Sequence, residues 1–181
     1  MIFRFLLAFF LFVVSGFAYD KEDILQDYTE AKYKKICLES AYFYKNGSKD
    51  EDLLSIIGDS CVKSDFINPL GYIVKNLITT PQARQNASYF STILLQKKLI
   101  YQFVNDSLDL TNLRLPKTEH VLSVVFEKLA TKNYEIDGDK IKIKLDKMSY
   151  ILLYKELKDK NTWMILEEYK NDKLSTRHWY I

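Results

Sequence analysis

Two cysteines, two histidines and one C-terminal run hold most of the reactive side chains in these 181 residues. Cys37 and Cys61 are the chain's only cysteines. Their midpoint is residue 49, inside the polar stretch Asn46-Gly47-Ser48-Lys49. Two antiparallel helices folded at that turn would bring the sulfurs to similar heights, so a disulfide is the expected chemistry. Free buried thiols are the first alternative. A redox pair would be C-x-x-C, which the sequence lacks, and a zinc site would need His120 and His178 to converge on both cysteines without any ligand-pair spacing. A bridge closing a loop of about 25 residues stabilises by roughly 3–4 kcal/mol in the chain-entropy account.

The second concentration is Thr176-Arg177-His178-Trp179-Tyr180. On a strand, alternate residues share a face. His178 therefore goes with Tyr180 and Arg177 with Trp179, and the four make a candidate ligand-binding mouth. The plainer reading is a last strand packing its aromatics into a sheet. His120 follows Glu119 at the start of a helix, where an exposed or capping role is expected. Glu167 and Glu168 point to opposite faces of a strand and do not form a carboxylate dyad. Asp137-Gly138-Asp139 lacks the later ligands of a calcium loop and reads as a turn. There is no G-x-S-x-G, no H-E-x-x-H and no phosphate-cradling glycine loop, and five glycines in all leave little material for one. No catalytic residue, metal ligand or cofactor is assigned.

Residues 1–18 have the order of a secretory signal peptide: Arg4, the apolar run Phe5–Val14, then Ser15-Gly16-Phe17-Ala18 with small residues before a cut after Ala18. Ten apolar residues rise only about 15 Å as a helix, half of a bilayer's hydrocarbon core. No later apolar run is long enough to span a membrane, so no integral membrane segment is expected after cleavage. The formal net charge is +2, and loss of Arg4 takes one unit off. A nearly neutral chain gives no electrostatic case for nucleic acid. Abundant Lys, Asn, Ile and Tyr suit an AT-rich bacterial genome, which with the leader points to the periplasm or to secretion.

The elements that must position these residues follow from periodicity and caps. A helix is expected over about 21–45, ended by Asn46-Gly47. Ser48 and Glu51 read as the capping box of a second over about 49–64. Asn68-Pro69 and Thr80-Pro81 start a third, to about Leu77, and a long fourth, to about Asn105. Residues 106–117 read as a connector, and Thr118 as the cap of a fifth helix. After Lys132 the period changes from 3.6 to 2. Asp137-Gly138 marks a hairpin, and strands are expected near 140–145, 149–157, 162–169 and 173–180. The fold class is α+β: helical hairpins or a small bundle over 19–105, the connector, then over 118–181 one helix packed on a four- or five-stranded antiparallel meander.

Leu54, Ile57, Gly58 and Cys61, with Pro81 beyond, stand at the spacing of a tetratricopeptide helical hairpin. Residues 50–82 thus resemble a single tetratricopeptide or Sel1-like unit, although Cys61 replaces the aromatic, Leu70 a small alanine, and no second copy follows. The resemblance implies protein–protein binding. Gly58, where another helix would cross closely, and the helix-borne Tyr42 and Tyr72 are the candidate partner-binding residues. The leading expectation is an exported, non-catalytic binding or accessory protein with a periplasmic protein partner on its helical half. The alternatives are a small-ligand carrier with a pocket between the fifth helix and the sheet, opening near Arg177–Trp179, and, last, a hydrolase using His178 or His120.

Overall fold

The computed structural model describes residues 19–181; the expected signal peptide lies outside the described residues. Helices α1 (Lys21–Thr29), α2 (Tyr33–Glu39), α3 (Ala41–Lys45), α4 (Glu51–Lys63), α5 (Leu70–Ile73), α6 (Pro81–Asp106) and α7 (Val121–Ala130) are followed by strands β1 (Glu135–Asp137), β2 (Lys140–Lys144), β3 (Ser149–Lys158), β4 (Asn161–Lys170) and β5 (Lys173–Tyr180). The strands form one antiparallel sheet in the order β1-β2-β3-β4-β5. This is the α+β fold expected, and β3 is central, as its two apolar faces require. Among the described residues no helix is long and apolar enough to cross a membrane.

The expected first helix is three. Its first break falls at Ala31, whose φ is +56°. There the Lys32 N–H bonds back to the Asp27 carbonyl and the Ala31 N–H to that of Tyr28, a Schellman ending. The same ending closes α4 at Asp65 and α7 at Lys132, and its longer bond, Ser48 N–H to the Phe43 carbonyl, closes α3 at Gly47, each at positive φ. Only Gly47 advertises itself, because only glycine takes that conformation without a steric cost.

Caps also shift. Asp50, not Ser48, caps α4 by accepting from the Leu53 N–H at 3.0 Å. Glu51 turns the other way and receives the Thr79 and Thr80 N–H groups and the Thr79 hydroxyl. Those bonds, the Thr79 hydroxyl foremost, hold its carboxyl down to about 2 and pin the entry of α6 to the start of α4. The unit resembling a tetratricopeptide hairpin is lopsided: α4 is complete, but its partner is the single turn α5 extended by a 3-10 turn, Val74–Asn76.

One core runs through both halves. Ile57, Leu70, Ile93, Leu122, Ile143, Leu153 and Leu166 are all fully buried and belong to it. The expected cover of the sheet was the fifth helix. Here α6 reaches the sheet itself, its Tyr101 hydroxyl donating to the Thr162 carbonyl at 2.8 Å, while α7 packs along α6. On the sheet's other face, Lys140 lies over Tyr154, Lys142 over Tyr150 and Lys158 over Trp179, and Tyr150 stacks on Tyr169 at 4.9 Å. Each cation is attracted to a ring face and covers it, so this open face is lined by rings already in use.

The bridge between Cys37 and Cys61 is formed, with Cα atoms 4.9 Å apart and both residues fully buried. It ties α2 to α4. Gly58 does mark a close crossing, but with α6 rather than with the third helix or a partner. A Cβ there would lie 2.4 Å from Phe90 Cε2 and 2.7 Å from Cζ. Gly58→Ala is therefore expected to destabilise by about 1–3 kcal/mol through overpacking, despite alanine's better helix propensity. The pair Gly58→Ala/Phe90→Leu should recover part of that loss in urea melts. Equal stability of Gly58→Ala and the parent protein would show that Phe90 moves aside freely.

Candidate functional site

The geometry around Asp65 begins with the end of α4. Aspartate tolerates the left-handed conformation better than most residues, and the +65° φ there turns its carboxylate toward β5. His178 Nδ1 meets Asp65 Oδ2 at 2.7 Å, and its Nε2 meets Glu168 Oε1 at 2.7 Å. The Tyr180 hydroxyl donates to Asp65 Oδ1 at 2.6 Å. His120 caps α7, its Nδ1 accepting from the Leu122 N–H. Its Nε2 therefore carries the proton and faces Asp65 Oδ1 at 3.6 Å. One carboxylate at a helix end thus gathers three groups from α7 and β5.

Both ring nitrogens of His178 face carboxylates, so both must donate, and the ring is an imidazolium. Burial opposes that charge, but Asp65 and Glu168 outweigh it and push His178 up to about 9. Burial likewise opposes ionisation of Asp65, but His120, His178 and Tyr180 prevail and hold its carboxyl below the usual range. Burial, and then Asp65, push the Tyr180 phenol up.

These groups bind one another and leave no reactive pair. Neither imidazole has a hydroxyl or thiol partner among the described residues. Nor is any group of three His, Cys, Asp or Glu there arranged to hold a metal ion.

Beside this clamp a cavity of about 480 Å³ opens between the helices and the edge strand β5. Lys34 of α2, the loop Ser64–Asn68, Lys97 of α6, Trp163 of β4, and Arg177, Trp179, Tyr180 and Ile181 line it. The expected pocket was elsewhere, between the fifth helix and the sheet. No α7 residue lines this one, because α7 packs on α6. Of the four expected mouth residues, Arg177, Trp179 and Tyr180 line the cavity; His178, on the same face as Tyr180, is held between Asp65 and Glu168 instead. Trp163 and Trp179 meet edge to face at 6.4 Å. The Trp163 indole N–H is buried and finds no acceptor.

Lys97 is 3% exposed, and its ammonium donates to the Asn68 side chain and the Ile181 main-chain oxygen. Burial, with Lys98 nearby, pushes it down to about 8 despite Asp65. Arg177 is bound to the buried Glu167, its Nε at 2.7 Å from Oε1, and lies over the Trp179 ring.

Sequence reasoning missed Asp65, Lys97 and Trp163. Only Asp65 had a local signal, an aspartate directly after a helix's last turn. Lys97 reads as one more solvated lysine until a sheet arrives over it. Of the expected partner residues, Gly58 is buried under Phe90 and offers no surface. Tyr42 and Tyr72 are exposed by 73% and 50%. No protein-family model, curated protein or solved structure matches this chain.

Proposed function

We propose that this is an exported, non-catalytic binding protein that holds a small ligand in the cavity between its helices and the edge of its sheet. The observation that carries this is the cavity itself: about 480 Å³, within the roughly 300–1,000 Å³ range of small-molecule sites, and walled by aromatic rings with a few polar groups. Export is proposed from residues 1–18 and is compatible with the disulfide, which persists in oxidising compartments. The second reading, a protein partner on the helical half, rests on the exposure of Tyr42 and Tyr72. It ranks below because Gly58, which first suggested it, is engaged within the chain.

The protein has two tryptophans, and both line the cavity, so their emission reports its occupancy without a label. Titration with flat acidic, neutral and basic compounds should give a saturable change for at least one class. Ser64→Tyr, which adds a ring at a lining position, should abolish it. Emission that no class perturbs saturably would exclude the cavity as a binding site.

A further inference from the structure

Resting on that reading, we infer that the ligand is a small organic acid, a carboxylate on a flat aromatic or unsaturated frame. The cationic side chains of the cavity wall, Lys34, Lys97 and Arg177, outnumber its one acidic side chain, Asp65. That carboxylate is already bound by His178 and Tyr180. An amine entering the cavity would be opposed by the ammonium groups of Lys34 and Lys97. Arg177 is balanced by Glu167 beneath it, whereas among the described residues no acidic side chain forms an ion pair with Lys34 or Lys97.

Lys34 stands at the rim over the Phe66 ring, with no carboxylate in ion-pair range among the described residues. Lys97 is buried in the cavity wall, and two of its three N–H groups are used, by Asn68 and Ile181, leaving one donor. The buried Trp163 N–H without an acceptor is a further donor in the same wall, and a buried donor left unmade is costly. An anionic, acceptor-rich head group answers the two lysines. The rings of Phe66, Trp163 and Tyr180 suit a flat apolar body, since aromatic pairs favour offset or edge-to-face contact.

The test is a matched set on one frame, with tryptophan emission as the readout: 2-naphthoate, 2-naphthylmethanol and 2-naphthylmethylamine. The acid should bind about tenfold or more tighter than the alcohol, the worth of a charge-assisted hydrogen bond, and the amine should bind weakest. Lys97→Met should remove most of the acid's advantage and leave the alcohol's affinity unchanged. Lys34→Gln, at an exposed position where folding is not at stake, should weaken the acid about threefold, as expected for a rim charge. Equal binding of acid and alcohol, or acid affinity unchanged in both lysine variants, overturns the acid assignment and leaves the cavity a ligand site. Absence of binding by all three compounds overturns the assignment and the cavity reading together.

Discussion

Asp65→Asn should cost the folded protein about 3 kcal/mol, the lower end of what breaking a buried ion pair costs, because Asp65 retains 25% exposure. Asparagine keeps the left-handed backbone and the shape, so the change removes charge and little else. The amide keeps one oxygen to accept from Tyr180 or His178 but sets an NH2 against the other, so the tie between the end of α4 and β5 is weakened and uncharged. The linked pH dependence has a definite sign. His178 holds its proton more tightly in the folded chain, about 9 against an ordinary 6.5. Its contribution, about 3 kcal/mol, is complete below pH 6.5, declines as pH rises, and is gone above about 9. Asp65 is depressed, so its contribution is present above its ordinary 3.8 and lost as pH falls below it. Stability should therefore be greatest between about pH 4 and 6.5.

Lys97 acts oppositely above pH 8. Its folded value is lowered from 10.5 to about 8, so the unfolded chain binds more protons there and stability rises with pH. The clearest window for His178 is thus 6.5 to 8. Urea midpoints of the parent protein should fall across that window, while those of His178→Gln should stay level. A parent midpoint that does not move between pH 6 and 8 would mean that His178 is not an imidazolium clamped between two acids.

Removing the disulfide is the second large effect. The cysteines are 24 residues apart, and the chain-entropy account gives about 3–4 kcal/mol for a loop of that size. At a urea slope of about 2 kcal/mol per molar, the double variant Cys37→Ala/Cys61→Ala should unfold roughly 1.5–2 M earlier. Both sulfurs are buried between α2 and α4, so a thiol reductant should not reach them in the native protein. Reduction should become fast only at urea concentrations where the chain opens. Rapid reduction of the native protein would show that α2 separates locally from α4, and the Lys34 side of the cavity with it.

The two effects act on different joints, and that separates what was legible from what was not. The disulfide was legible because it depends on chain-local facts: two cysteines, a turn at their midpoint, and helices on both sides. The β-meander was legible for the same reason. Strict alternation in Lys140–Lys144 and the turns after Asp137 and Lys158 set strand faces and register within a few residues. Along the last strand, parity alone separated His178 and Tyr180 from Arg177 and Trp179, and the structure keeps that division.

The break at Ala31 and the turn at Asp65 were not legible, since a non-glycine residue at positive φ leaves no mark in composition. The cap at Ser48 was misplaced for a related reason. Asp50 can cap equally well, and Glu51 is recruited by a loop 28 residues away.

The sequence by itself thus determined the order of helical region and sheet, the bridge, and which strand residues share a face, because each depends on neighbours within one turn or one hairpin. Only the tertiary structure decided where the cavity lies and what it wants. Docking β5 against the end of α4 spends the Asp65 carboxylate on His178 and Tyr180. The same docking buries Lys97 and gathers three cationic side chains and one acidic one around a gap. That imbalance is a property of surfaces brought together from residues 34 to 181, and no window of the chain contains it.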